Sequence, residues 1–272
     1  MKISDINELE AICKNVRRNI IEEVYGANSG HPGSSLSCVE ILTVLYFNQM
    51  NIDPGNPKME NRDRLVLSKG HASPALYAVL AQRGYFPIEE LKEFRKLGSR
   101  LQGHPDLKKL PGVDMSAGSL GQGLSVACGM AIGNKLNKID QKVYCILGDG
   151  EIEEGQVWEA AMTASHYKLD NLCVIIDNNN LQIDGKIEDV VNPYPIDEKF
   201  KSFGFEVLRC DGHDVNNLIE TFEKTKYIID KPVVVIAKTI KGKGISYMED
   251  KAEWHGKAPN EEQYNIAIQE LN

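Results

Sequence analysis

Two unbroken apolar runs, Val143-Tyr144-Cys145-Ile146-Leu147 and Leu172-Cys173-Val174-Ile175-Ile176, constrain this chain more than any other feature. Neither run offers a polar face, which is the pattern of a strand buried on both sides of a parallel sheet. Between them, residues 156–168 carry Val157, Ala160, Ala161, Ala164 and Tyr167 at helical spacing. The three segments therefore make a strand–helix–strand unit, and a parallel crossover returns both strand ends to one edge of the sheet. Short runs at residues 64–67, 206–209 and 233–237 read as further strands. Helical periodicity covers residues 5–25, 35–47, 73–82, 88–96 and 215–229, and another helix ends near Leu136. The expectation is an α/β fold: a doubly wound parallel sheet of about five strands with helices on both faces. No Ser-, Pro- or Gly-rich linker and no internal repeat interrupts it, so residues 1–272 read as one domain.

The strand ends carry the chemistry. The first long run leads into Gly148-Asp149-Gly150-Glu151, and the second into Asp177-Asn178-Asn179-Asn180-Leu181. Open α/β sheets bind ligands at the carboxyl ends of their strands. Thirty positions separate Asp149 from Asn179, and the crossover brings both to one point. A carboxylate and an amide carbonyl are hard oxygen ligands suited to magnesium, which keeps coordination positions open for phosphate and water. Asp-Gly alone is a common strand-ending turn; two such turns in this register are far more specific. Glu151 and Glu153 read as solvated charges favoured by a helix start.

Composition excludes several partner classes. With 39 acidic and 31 basic residues, a net charge of −8 argues against nucleic acid and membrane surfaces. No run of about 18 apolar residues is present, and the charged N-terminus enters an amphipathic helix without a visible secretory signal. None of the six cysteines forms a Cys-x-x-Cys pair, and Cys145 and Cys173 fall inside core strands. They read as small buried hydrophobes in a reducing compartment, which makes a cytoplasmic location the expectation.

Four of the six histidines lie in glycine or proline loops: His31, His71, His104 and His255. His71 follows the strand at residues 64–67, and His104 lies in an irregular stretch, 98–118, too long for an ordinary connector. Gly118-Ser119-Leu120-Gly121-Gln122-Gly123 opens a helix, where glycines allow close approach of a ligand to backbone. Val126 breaks the dinucleotide Gly-x-Gly-x-x-Gly pattern, which disfavours a Rossmann dehydrogenase. The basic, glycine-rich stretch 238–246 reads equally as a solvated loop or an anion contact, and Lys241 and Lys243 are not counted among the site residues. His166 and His213 read as structural or surface.

Gly148-Asp149-Gly150 followed about thirty residues later by Asn178-Asn179 resembles the thiamine-diphosphate fingerprint, and the chain resembles the N-terminal half of a transketolase. Ser29-Gly30-His31-Pro32-Gly33, Ser68-Lys69-Gly70-His71-Ala72, Gly103-His104-Pro105, Gly118 to Gly123 and Trp254-His255-Gly256 stand in the transketolase order. The resemblance implies a thiamine-diphosphate-binding fold with thiamine diphosphate and Mg2+ as cofactors. It implies Asp149, Asn179 and the Leu181 carbonyl as metal ligands; the family usually has isoleucine at the last position, a change that a backbone ligand tolerates. Gly150 and Asn179 would meet the diphosphate, and Gly118, Ser119 and Leu120 would line the cofactor through backbone. His71 and His255 resemble histidines contacting cofactor and substrate, and His31 and His104 those holding substrate hydroxyls. Glu154 matches a glutamate in a carboxylate network across the dimer interface.

The family's catalytic glutamate belongs to a following domain that this stretch of sequence does not contain. The resemblance therefore implies the diphosphate-binding subunit of a split transketolase, or a piece of a longer one, inactive alone. Its partner would be a separate pyrimidine-binding subunit in a heterotetramer, acting on sugar phosphates or related sugars. Two other readings share the fold. The α chain of a 2-oxo acid dehydrogenase has the metal fingerprint without needing the four histidines, and a non-catalytic homologue would bind cofactor without needing the full set.

Overall fold

The apolar runs become strands because both of their faces find helical cover. The computed structural model describes residues 2–272. Its strands are β1 (Arg64–Leu67), β2 (Val143–Gly148), β3 (Leu172–Asn178), β4 (Glu206–Asp211) and β5 (Val233–Lys238). They form one sheet in the order β1-β2-β3-β5-β4, with every pair parallel. The helices are α1 (Ile6–Gly26), α2 (Pro32–Leu36), α3 (Val39–Val44), α4 (Ser73–Arg83), α5 (Gln122–Leu136), α6 (Gly155–His166), α7 (Ile187–Val190), α8 (Ile196–Ser202), α9 (Val215–Thr225) and α10 (Glu261–Glu270).

Alternation along each strand divides the core into two layers. Leu65, Tyr144, Ile146, Cys173, Ile175, Val233 and Val235 face α1, α3, α4 and α9. Val66, Val143, Cys145, Val174, Ile176, Val234 and Ile236 face α5, α6 and α8. Each fully buried Val or Ile contributes about 1.5–3 kcal/mol, so a central strand with no polar face is well anchored. All six cysteines are free and buried within these layers, Cys145 and Cys173 inside the strands that the apolar runs predict.

The departures from the expected elements have local causes. The helix expected over 35–47 is divided into α2, α3 and a π-helical turn, Leu45–Gln49. The break lies at Ser37 and Cys38; the Ser37 hydroxyl donates to the buried Asp177 carboxylate at 2.5 Å, a tertiary bond that helical periodicity does not register. The segment expected as a helix over 88–96 is a 3-10 turn, Ile88–Glu93, and it closes at Arg95, whose φ is +59°. Within the stretch expected as a loop, 189–195, residues 189 and 190 belong to α7, and α8 follows directly. The C-terminal α10 starts at a capping box of Asn260 and Gln263, a short-range signal that sequence reading passed over.

Ile175 sits at the centre of the sheet with no exposure. Ile175→Ala is expected to lower unfolding free energy by about 2–5 kcal/mol. Leu136→Ala, at a residue 78% exposed at the end of α5, should stay within about 0.5 kcal/mol. Urea titrations of the isolated chain followed by circular dichroism check the pair.

Candidate active site

The carboxyl edge of the sheet opens into a cavity of about 470 Å3. Asp149, one residue beyond β2, is 1% exposed. Its Oδ1 accepts from the Gly150 amide at 2.9 Å, and its Oδ2 accepts from the Asn180 amide at 2.5 Å and Asn178 Nδ2 at 3.1 Å. The turn after β2 is thus tied to the turn after β3. Asn179 lines the same cavity, with Oδ1 accepting from the Leu181 amide at 3.1 Å. Asp149 and Asn179 converge as the crossover argument requires, and Leu181 lines the same cavity. Gly150 lines the cavity beside them, where an added Cβ would come 3.0 Å from Gln182 Cβ.

Burial, then the charge of Asp177, pushes the Asp149 carboxyl up to about 7, against the pull of its three hydrogen bonds. A buried acid served only by neutral donors, beside an amide oxygen and the Leu181 carbonyl, is a donor set that fits a hard divalent cation. The residues present are therefore compatible with a magnesium-bound diphosphate.

Lys69 and Asp177 form an ion pair at 2.5 Å beneath the cavity, and both side chains are essentially inaccessible. Burial alone would push the lysine down and the carboxyl up; the pairing overrides it for both, raising Lys69 and lowering Asp177. Lys69 Nζ also donates to the Ser34 carbonyl at 2.7 Å. Asp177 takes further bonds from Ser37, Thr239 and Asn179. The segments after β1, β3 and β5 and the helix α2 are held by this one carboxylate.

The rings of His31, His71 and His255 lie with centroids 5.1–5.3 Å apart. Burial lowers each below the ordinary imidazole range. His31 falls to about 4 with the help of Arg95, and His255 to about 3 with the help of Lys241. His71 is also well below its usual value, with Lys69 adding to burial, and His104 is lowered by burial and Arg95. All four are neutral at pH 7 and able to donate or accept a proton. His31 Nδ1 is buried without a protein partner. Lys241 Nζ stands 2.9 Å from His255 Nδ1, so the ring nitrogen accepts and its proton sits on Nε2.

Gly118 and Leu120 line the cavity, whereas Ser119 is exposed and outside the lining. Glu154 is an exposed residue on the rim. Glu151 corrects the sequence expectation. Far from being solvated, it is 3% exposed and accepts from Ser68 Oγ at 2.5 Å and from the Gly121 and Gly148 amides at 3.0 Å. It joins the ends of β1 and β2 to the start of α5. Glu153 lines the cavity and holds Gln182. His166 is exposed, and His213 is a structural residue bound to Glu40 and the Ile240 amide.

Sequence reasoning missed Lys241 and Lys69. Lys241 is 1% exposed, lines the cavity and donates to the Leu181 carbonyl at 3.3 Å. Its setting among glycines read equally as a solvated loop or an anion contact, and nothing local separates it from Lys243, which is half-buried and pairs with Glu249 at 3.3 Å. Lys69 carried a usable signal: a cation two positions beyond a strand end and two before His71.

Residues 9–271 match the family model described as the transketolase, thiamine diphosphate binding domain. The chain is 43% identical to an apulose-4-phosphate transketolase subunit of Phocaeicola vulgatus, covering 98% of this chain and 95% of the relative. It is 44% identical to the 6-deoxy-6-sulfo-D-fructose transketolase subunit SqwG of a Clostridium species, with 94% and 93% covered. Human transketolase is 42% identical over 98% of this chain, which spans only 42% of the human protein. The crystal structure of the Campylobacter jejuni transketolase superposes with a TM-score of 0.93 at 38% identity, over 98% of this chain and 43% of that one.

Removing one partner of a buried ion pair strands the other charge. Lys69→Met is expected to cost about 3–5 kcal/mol of stability, and Lys69→Met/Asp177→Leu to recover much of it. Thermal and urea unfolding of the two variants check this.

Proposed function

Since the chain belongs to the family of the transketolase thiamine diphosphate binding domain, we propose that it is the diphosphate-binding subunit of a split transketolase. On this reading it moves a two-carbon ketol unit from a ketose, phosphorylated or related, to an aldose. The observation that carries it is the convergence in one cavity of Asp149, Asn179 and Leu181 with a cluster of neutral histidines. The relatives named as transketolase subunits, covered over 93% or more of their length, support the split arrangement. A pyrimidine-binding partner supplies the catalytic glutamate, two copies of each subunit form the heterotetramer, and residues 1–272 act as one domain. The site works in the cytoplasm, in pentose phosphate or related sugar metabolism. No helix among the described residues is long and apolar enough to cross a membrane.

Thiamine diphosphate, when bound, supplies an electron sink for the transferred carbon unit. Asp149, Asn179 Oδ1 and the Leu181 carbonyl would hold Mg2+, and Gly150 and Asn179 would meet the diphosphate. The buried ammonium group of Lys241 would offset phosphate charge that the cation leaves, whereas the charge of Lys69 is already matched by Asp177. Gly118 and Leu120 bound the cavity, with Ser119 beside them on its outer side. His255, with Nδ1 engaged by Lys241, is oriented to donate from Nε2, and His71 stands against it on the cofactor side. His31 and His104 hold sugar hydroxyls; the unpartnered Nδ1 of His31 is suited to accept one. The rim carboxylate of Glu154 would join a carboxylate network across the subunit interface.

The chain alone is expected to show no ketol transfer, and mixing it with a separately encoded pyrimidine-binding subunit, thiamine diphosphate and magnesium should create it. His255→Asn should then lower kcat by roughly 10²-fold or more. Failure of every ketose donor in the mixed enzyme would overturn the proposal.

The Asp149 proton sets a second expectation. With its folded value raised to about 7, the metal-free chain holds this proton up to neutrality, and a cation must displace it. Below about pH 7, magnesium-dependent cofactor affinity should fall by about tenfold per pH unit. By the same sign, the metal-free fold loses this residue's contribution as pH rises from the ordinary carboxylate range toward 7. Calorimetric titrations between pH 5.5 and 8 read the slope, roughly one proton per metal below neutrality, and Asp149→Asn should abolish it.

A further inference from the structure

Lys241 lies on the loop that follows β5, between Gly242, whose φ is +79°, and the strand end. A flexible glycine loop does not place a buried ammonium against two acceptors unless something fixes its backbone. The loop is held on both sides of Lys241. At residue 240, the Ile240 amide donates to His213 Nε2 at 2.8 Å. At residue 243, the Lys243 carbonyl accepts from Arg17 Nε at 3.0 Å. Arg17 also lies flat against Gly244, where an added Cβ would stand 2.8 Å from its Cδ and Nε.

The two anchors meet on one carboxylate. Glu40 of α3, 6% exposed, takes Arg17 Nη2 on Oε1 at 2.5 Å and His213 Nδ1 on Oε2 at 3.0 Å. Because Ile240 donates to Nε2, the His213 proton must reside on Nδ1, where it is given to Glu40. The two His213 bonds therefore require each other, Arg17 shares the Glu40 carboxylate with them, and none of the three residues lines the cavity.

We infer that Glu40, Arg17 and His213 are positioning residues: a clamp that sets the loop so that Lys241 reaches His255 and the Leu181 carbonyl. The inference rests on reading the cavity as the cofactor site. Through Lys241, the clamp fixes the His255 tautomer and places positive charge where the diphosphate would lie, although Glu40 touches neither.

A double-mutant cycle between Glu40→Gln and Lys241→Met tests it, since a residue that acts only through Lys241 loses its effect when the ammonium is gone. Glu40→Gln is expected to weaken thiamine diphosphate binding, with magnesium present, and to lower kcat of the mixed enzyme by roughly 10- to 100-fold. On the Lys241→Met background the same change should matter less than about twofold. Nitrogen-15 spectra of the isolated chain should show His255 protonated on Nε2 in the wild type, with Nδ1 taken by Lys241, and lose that preference in Glu40→Gln. An undiminished loss on the Lys241→Met background would make Glu40 a fold residue only and overturn the inference. So would a Glu40→Gln chain with wild-type affinity. If Glu40→Gln fails to fold, His213→Phe, which removes the Ile240 acceptor and the donor to Glu40 at a half-buried position but leaves the Arg17–Glu40 pair, carries the same cycle. Cofactor binding without ketol transfer from any donor would sink the functional reading while the affinity cycle still decides the clamp. A wild-type chain that binds no cofactor would end the inference.

Discussion

The Lys69–Asp177 pair lies where the segments after three strands and a short helix meet, and the geometry of the cavity is built on it. A lone buried charge of either sign is prohibitive in a protein interior. Paired at 2.5 Å and supplied with hydroxyl and carbonyl partners, the two become a rigid floor. The floor has a consequence above it. Asp177 bonds Asn179 Nδ2 at 3.3 Å, which turns the amide oxygen toward the Leu181 turn. It also bonds Thr239, which begins the loop carrying Lys241. A structural ion pair thereby orients groups on both sides of the proposed diphosphate site.

Electrostatically, the cavity is unfinished in a particular way. It contains a carboxyl pushed up to about 7, an ammonium pulled down to about 8 and histidines held neutral. Burial is the first cause of each shift, so every group sits in an environment that disfavours its own charged form. A bound cation would return Asp149 to its ionised form, and an anionic diphosphate would return Lys241 to full charge. The neutral histidines need neither, and their depressed values suit hydrogen bonding to sugar hydroxyls without adding charge to the site.

Much of this was legible from local pattern. The two long apolar runs predicted β2, β3 and their crossover, and the register between Asp149 and Asn179 follows from the parallel pairing of Gly148 with Asp177. The histidines announced themselves by standing in glycine and proline loops, three of them brought to within about 5 Å of one another. What was not legible depends on contacts between distant segments. Glu151 looked like a solvated helix-start charge because the groups that donate to its carboxylate, the Ser68 hydroxyl and the Gly121 amide, lie 83 and 30 positions away. The helix is interrupted at Ser37, whose hydroxyl is taken by a carboxylate 140 residues later.

The order of apolar and polar residues thus determined the layers, the strands and the edge at which ligands gather, because hydrophobic periodicity acts within a few residues of itself. It also specified which oxygen atoms stand at the ends of β2 and β3. Only the tertiary structure decided that Lys241 belongs to the site and Lys243 does not. Both sit among glycines in the same loop, and the long-range bonds that fix its backbone, from Gly242 to Gly33, from Asp250 to the Lys241 carbonyl and from Arg17 and His213, put one ammonium in the cavity and the other beside Glu249. Side chains separated by up to 226 positions cannot signal that choice locally, since it is made by burial and hydrogen bonding once the layers have closed.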